Sequence, residues 1–400
     1  MSFKFVTDRI VRDRAYPAFA QHSAKPYTPE WREFAHRWPY TVPVELIEHC
    51  RTHNYPYELY TVDQDFPAEC YYPIGLGFFD FTIDYFDLLS RPVRQHLTQG
   101  RLQLLFYYHE GDNPRDIKRR LDELCQLHNL PKTCYQFISG NTQAANLTNA
   151  AYFPDHELLY WQRNQLIPAT KLNYDKKYAF TLLSRQHKWW RATVVADLHR
   201  ANLLNTSKWS YNTLLPPQDL PEENPIEIDT LDIQDYLKTF INNGPYRCDQ
   251  LTDKEHNDHH KHVQEHYTES YCSIVVETHF DADSTPGTFL TEKTFKPIKH
   301  GHPYVLIAPP GSLQLLRDLG YRTFDHVIDN SYDTITDNTE RYLRVKHTIE
   351  QIKNNNNLTK WLQDCSEDIL HNQRLFTSNK YTRIANLYNK LEYNRNKLRA

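Results

Sequence analysis

Glycine is scarce in this chain. Ten residues in 400, against a usual share of ~7%, exclude collagen-like and Gly-rich linker architectures and leave no G-x-G-x-x-G phosphate loop. Long apolar runs are also missing. The longest fall well short of the ~20 residues a bilayer-spanning helix needs, so no membrane span is expected. The seven cysteines (Cys50, Cys70, Cys125, Cys134, Cys248, Cys272 and Cys365) are odd in number, scattered and without a C-x-x-C pair. They indicate neither a disulfide framework nor a zinc knuckle, and they fit a reducing compartment. The stretch MSFKFVTDRIVRDR has no apolar h-region, so no signal peptide is read and a cytoplasmic location is expected. Surplus basic charge is absent as well: 46 Lys and Arg against 50 Asp and Glu give a net charge of −4, and no global field gathers nucleic acid or anionic lipid.

What the chain does have is core-forming material. Apolar residues make up 40% of it, with 28 Tyr, 19 Phe and 7 Trp, and 400 residues are about twice what one core organises, so two domains are expected. Residues 1 to about 70 are rich in Pro and aromatics with little periodicity, which predicts irregular packing and one short helix near VELIEHCRTH. From Arg101 the pattern sharpens. LQLLFYY reads as a buried strand, RDIKRRLDELCQLHNL as a helix with Ile117, Leu121, Leu124 and Cys125 on one face, and CYQFISGN as a second strand, which makes a β-α-β unit in a parallel sheet. Residues 155–177 read as a linker. The alternation resumes with a strand at 178–184, a helix at 188–204 and, after an acidic Pro-rich interruption, a helix near DIQDYLKTFINN. Strands YCSIVVE and PYVLIA, each followed by a helix, and a short strand near HVID come next, and helices near 337–354, 358–373 and 378–397 close the chain. The expected fold class is α/β: two doubly wound, Rossmann-like domains facing across a cleft, over 1–165 and 166–375, with 376–400 as a C-terminal helix.

The densest polar cluster lies between YCSIVVE and PYVLIA: Glu277 and Thr278, the loop DADSTPG, then Thr291, Glu292, Lys293 and Lys296. In a doubly wound sheet, ligands sit beyond the carboxyl ends of the strands, where helix N-termini present N–H groups to anions. Thr291 is expected to cap its helix and to place Glu292 and Lys293 beside a bound phosphate. A lysine there opposes the helix macrodipole, and a diphosphate would reverse that sign; the alternative is a solvated first turn. In SRQHKWWR, Arg185, Lys188 and Arg191 surround the turn after the strand at 178–184. There a guanidinium can fork onto phosphate oxygens or simply solvate the helix start. In the first block, HEGDNP carries Glu110 and Asp112 and ISGN carries Ser139 and Asn141, all at strand ends. These loops are expected on the acceptor side, with Glu110 first and Asp112 second as the base that deprotonates an acceptor hydroxyl. An Asp before Asn-Pro also commonly just shapes a turn.

The strand-turn-helix carrying Arg185, together with FLTEKTFKPIKHGHPYVLI, resembles the nucleotide-sugar half of the GT-B α-1,3-fucosyltransferases. Their signature runs Tyr-x-Thr-Glu-Lys, a helix, then Gly-x-x-Pro-Val-Val. The chain also looks like glycosyltransferase-like proteins of phages and large viruses. Matching residues are Thr291, Glu292, Lys293, Gly301, Pro303 and Val305, over about 178–335; Phe289 stands where the family has Tyr, Pro297-Ile298 where it has Asn-Ala, and only His302 separates Gly301 from Pro303. The resemblance implies a GT-B glycosyltransferase that moves a sugar from a nucleotide-diphosphate donor to a hydroxyl acceptor, inverting and without a metal or further cofactor. It carries ribose and diphosphate contacts onto Glu292, Lys293 and Arg185, with Arg191, Glu277 and Thr291 as the other donor-side candidates. It also implies a last helix that packs back on the first domain, and host cytoplasm as the location of a viral protein.

Rival readings stay open. Asp281-Ala282-Asp283 spells D-x-D, the pattern by which metal-dependent GT-A enzymes hold Mn²⁺. The acceptor could be a hydroxymethylated base in DNA rather than a glycan, or the fold could serve a non-catalytic carbohydrate-binding or structural role. His256, His259, His260, His262 and His266 crowd one segment, with 256/260 and 262/266 at the spacing of a helical metal site, although the flanking charges favour a solvated helix or loop. The aromatics of residues 71–86 suit a core or a sugar-stacking platform.

Overall fold

The computed structural model describes residues 2–7, 44–76, 79–163, 172–184, 188–212, 225–227, 231–249, 263–281 and 286–399. The fold is mixed α/β: ten strands in two parallel sheets of six and four, with thirteen α-helices among the described residues. It divides into two compact units, Met1–Leu158 with Asn379–Ala400, and Leu159–Ser378. No described helix is long and apolar enough to cross a membrane.

The first unit carries β1 (Phe3–Thr7), β2 (Tyr57–Thr61), β3 (Cys70–Leu76), β4 (Leu102–Tyr108), β5 (Tyr135–Ser139) and β6 (Ala150–Tyr152), in the order β2-β1-β3-β4-β5-β6. Every residue of β3 and β4 is buried, as expected for parallel strands covered on both faces. On one face lie α2 (Arg91–Thr98), through Val93 and Leu97, and α3 (Pro114–Leu127), through Ile117, Leu121, Leu124 and Cys125. Asn113 caps α3 by accepting from the Arg115 N–H, with Pro114 in its first turn. On the other face lie α1 (Val44–Thr52), through Leu46 and Cys50, and α13 (Tyr381–Arg399), through Ile384, Leu387 and Leu391. Each of those three residues of α13 contributes about 1.5–3 kcal/mol of apolar burial. Polar contacts fix the helix in place: Gln136 donates to the Leu391 carbonyl at 3.0 Å, Tyr71 donates to Glu392 at 3.0 Å, and the Arg395 guanidinium lies 4.1 Å from the centre of the Tyr71 ring. Just ahead of α13, Lys380 Nζ meets the buried Glu157 carboxylate at 2.7 Å, and Arg383 Nε meets it at 2.5 Å.

The second unit carries β7 (Tyr178–Ser184), β8 (Ser207–Tyr211), β9 (Ser270–Val276) and β10 (Tyr304–Ile307), in the order β8-β7-β9-β10. Around them lie α5 (Trp189–Arg200), α6 (Leu231–Asn242), α7 (Glu265–Thr268), α8 (Glu292–Lys299), α9 (Ser312–Asp318), α10 (Asn338–Lys353), α11 (Leu358–Asp364) and α12 (Ser366–Thr377). After α8 the chain turns at Gly301, at φ +64°, where an added Cβ would lie 2.8 Å from the Gln373 amide of α12. That crowding and the left-handed backbone explain a glycine in a chain with few. His302 follows, fully buried, its ring between the Ser273 hydroxyl at 2.6 Å and the Ser270 carbonyl at 2.5 Å. Burial, aided by the nearby Lys176, lowers its pKa from 6.5 to about 3. Below pH 6.5 the unfolded chain takes up this proton and the native state does not, so stability falls with pH down to about 3. Urea unfolding of this unit should lose about 3 kcal/mol between pH 6.5 and pH 4. The loss should shrink in His302→Gln, and an equally steep pH profile in that variant would refute the assignment.

Several expectations need correction. Residues 155–163, expected in a linker, form α4 (Asp155–Arg163), whose first turn carries Asp155 and Glu157, as the macrodipole favours. The stretch near HVID is turn, not strand. There Asn330 donates to the Thr323 carbonyl at 2.6 Å and to Asp325 at 3.0 Å, and Phe324 sits at φ +62°; such local bonds compete with strand pairing. The single helix expected over 358–373 is two, α11 and α12. The region before residue 70 contains β1 and β2, where irregular packing was expected. Of the aromatics at 71–86, Tyr71, Tyr72, Phe79, Tyr85 and Phe86 are core residues.

Candidate functional site

In the second sheet the chain runs from β7 outward to β8, then returns past β7 to build β9 and β10. The reversal point lies between β7 and β9, and the crevice beyond the carboxyl ends of such a pair is where open α/β sheets bind ligands. Glu277 and Thr278 immediately follow β9 at that point.

Glu277 is fully buried. Its Oε2 accepts from the Thr278 N–H at 3.1 Å and the Thr291 hydroxyl at 2.7 Å. Its Oε1 accepts from the Thr291 N–H at 3.1 Å and the Thr294 hydroxyl at 2.6 Å. The carboxylate thus fixes the N-terminal turn of α8 to the end of β9. Thr291 caps α8, its Oγ1 accepting from the Lys293 N–H at 3.4 Å. The Lys293 ammonium lies across the same turn, 3.0 Å from Thr278 Oγ1, 3.1 Å from Thr291 Oγ1 and 3.5 Å from Glu292 Oε1. A second cation comes from Lys188, which donates to the Thr278 carbonyl at 3.3 Å. Two ammonium groups and a helix N-terminus therefore converge around Thr278, an arrangement suited to an anion. Glu292 is 8% exposed and Lys293 is more open, with its side chain 28% exposed.

The other donor-side candidates have different placements. Arg185 lies outside the described residues. Arg191 is 1% exposed and donates through Nε and Nη2 to the Glu277 carbonyl, at 3.1 and 2.6 Å. It is therefore a strut that holds the end of β9 rather than a group turned outward to phosphate. Glu277 is likewise a positioning residue, with both carboxylate oxygens engaged within the protein. Asp281 accepts from the Asn338 amide at 3.1 Å, and Asp283 lies outside the described residues. Close to Asp281, the buried Arg341 donates to the Phe280 carbonyl at 2.6 Å and to the carbonyls of Ile335 and Thr336, and burial lowers its pKa to about 10. A cation already resident beside Asp281 counts against a divalent metal there. Thr294 and Arg341 escaped sequence reasoning. Thr294 offered only its place one turn into α8, and Arg341 lies 61 positions from the carbonyl it holds.

In the first unit, the loops after β4 and β5 lie side by side. Asn141 is buried and donates to the Gly111 carbonyl at 3.0 Å, and its own N–H reaches Ser139 Oγ at 3.1 Å. Asn141 thus latches the two loops together, and the buried Ser139 braces Asn141 within its own loop, instead of lining a surface. Asp112 accepts from the Tyr108 hydroxyl. Glu110 is half-buried, its side chain 36% exposed, with Oε1 3.5 Å from His109 Nε2. The His109 ring packs edge-on against His156, and nearby Asp155 accepts from His49 at 2.7 Å and from Tyr107. Burial opposes ionisation of Asp155, but the His49 hydrogen bond and the His49 and His109 charges outweigh it and hold the carboxyl down at about 2. By sequence, Asp155 stands with His156 and Glu157 as a further acidic cluster read as the start of a strand, whereas it opens a helix and its partners His49 and Tyr107 give no local signal. Asp84, Asp87 and His128 form one group able to hold a cation, with His128 Nε2 2.8 Å from Asp84.

Comparison with protein-family models, with curated proteins and with solved structures finds no match to this chain.

Proposed function

We propose that the chain is a nucleotide-sugar-dependent glycosyltransferase of GT-B type, transferring a sugar from a nucleotide-diphosphate donor to the hydroxyl of a glycan or similar acceptor. The observation that carries this reading is the Thr291-Glu292-Lys293 turn of α8, fastened by Glu277 at the carboxyl end of β9 with the Lys188 and Lys293 ammonium groups around Thr278. In this reading the departing diphosphate is stabilised by these cations and the helix N-terminus, in the role a metal has in GT-A enzymes. Glu292 is assigned the ribose hydroxyls, and a carboxylate base takes the proton of the acceptor hydroxyl as it attacks the anomeric carbon with inversion.

A thermal-shift screen against UDP, GDP, CMP and dTDP sugars, with and without Mn²⁺, tests the reading. One donor at about a hundred times its Kd should contribute about 2.7 kcal/mol and raise the melting temperature of the second unit by about 5–10 °C without metal. No shift with any donor, or a shift only with Mn²⁺, would overturn it.

A further inference from the structure

The segment between α6 and β9 brings three metal-binding side chains of different kinds together. Cys248 follows Tyr246, whose backbone pairs with Tyr211 at the end of edge strand β8, and Asp249 comes next. His266 lies in α7, just ahead of β9. One donor atom from each residue falls within 4.8 Å of the others. Cys248 Sγ is 3.7 Å from His266 Nε2, and Asp249 Oδ2 is 3.0 Å from the same nitrogen. Tetrahedral zinc, with bonds of about 2.3 Å to sulfur and about 2.0–2.2 Å to nitrogen and oxygen, requires S···N near about 3.6 Å and N···O near about 3.4 Å. The first span is in place, and the second needs the carboxylate to swing outward by about 0.4 Å. The Cys248 thiol also meets the Ser210 side chain, with the Lys208 ammonium nearby, and it is the convergence of sulfur and carboxylate on one imidazole nitrogen that points to a cation. His266 is 2% exposed and the Asp249 side chain 9%.

We propose that Cys248, Asp249 and His266 form a binding site for one zinc-class divalent metal ion, with a fourth position left to solvent. On binding, the Cys248 S–H bond breaks, its proton leaves to solvent and a sulfur–metal bond forms, so about one proton is released per metal. The thiolate and imidazole select zinc or cobalt over magnesium or calcium, which prefer all-oxygen sites. The ion ties residue 249 to residue 266 across the sheet edge, and His266 precedes β9 while Glu277 follows it, with about 20 Å of strand between them. The site therefore lies apart from the proposed donor turn and stands or falls independently of the glycosyltransferase reading.

The test uses the full chain, stripped with a chelator and titrated with Co²⁺ and then Zn²⁺. The expected result is one equivalent of Co²⁺ with a near-ultraviolet thiolate-to-cobalt charge-transfer band, displaced by Zn²⁺ but not by excess Mg²⁺, with release of about one proton per Co²⁺ bound, matching one thiol. The band should vanish in Cys248→Ser and persist in Cys272→Ser, and His266→Gln should lose stoichiometric binding. Failure of the wild-type chain to take up one equivalent, displacement by Mg²⁺, or a band that survives in a folded Cys248→Ser would each overturn the proposal. Because the wild-type titration decides by itself, a variant that fails to fold does not rescue it.

Discussion

Lys293→Ala is expected to weaken nucleotide-diphosphate binding about 10- to 100-fold, the equivalent of one charge-assisted contact of about 1.5–3 kcal/mol, while leaving the fold intact. The argument rests on the setting of this lysine. Its ammonium lies over the first turn of α8, where the helix macrodipole disfavours a cation by about 0.3–1 kcal/mol. Its compensation in the free protein is two hydroxyl contacts, to Thr278 and Thr291, and the Glu292 carboxylate at 3.5 Å, on a side chain open enough for solvent to screen that pair. Removing it therefore costs little stability. A bound diphosphate has no equivalent substitute for the charge. Calorimetry with the donor identified by screening, together with a melting curve, checks both halves. Wild-type affinity in this variant would remove the basis for the donor site.

Glu277→Gln should behave in the opposite way, losing stability first. Each carboxylate oxygen accepts one backbone N–H and one hydroxyl: Thr278 N–H and Thr291 Oγ1 at Oε2, Thr291 N–H and Thr294 Oγ1 at Oε1. A hydroxyl can rotate, but a backbone N–H cannot. Whichever way the glutamine amide turns, its NH₂ faces a buried N–H that has lost its acceptor. The expected cost is about 3 kcal/mol, a fall of about 6–12 °C in the melting temperature of this unit. Donor binding should weaken as well, because the cap of α8 loses its anchor. An unchanged melting temperature would show that Glu277 does not fasten the helix. Lys293→Ala and Glu277→Gln thus separate a group that meets ligand from one that holds such a group in place.

Strands β4, β7 and β9 were legible because parallel strands covered on both faces show as continuous apolar runs, LQLLFYY, YAFTLLS and SYCSIVV. Edge strands β2 (YELYT) and β8 (SKWSY) are partly exposed, and β6 has only three residues, so neither periodicity nor composition marked them. The cap of α8 was legible, since Thr291 followed by Glu292 and Lys293 is a local signal. The use of Glu277 was not, because its partners lie up to 17 positions away along the chain. Arg191 was misread for a related reason. Local sequence gives a basic residue at a helix start, whereas α5 is buried without a break from Trp190 to Leu198, which turns the guanidinium inward to a carbonyl.

The division of the chain also sets an order of assembly. The second unit is one continuous stretch, Leu159–Ser378, whereas the first is made of two pieces that flank it. During synthesis the sheet of the first unit waits for Ile384, Leu387 and Leu391, the residues of α13 that cover one of its faces, until everything between has been made. Were residues 159–378 still a random coil at that moment, docking α13 would carry the loop-closure entropy of the whole stretch. Glu157 and Lys380 pair at 2.7 Å on either side of the interruption, a contact that closes only after everything between them has been made. Vectorial synthesis thereby favours the continuous unit as the earlier to mature and leaves the discontinuous one dependent on the last residues of α13.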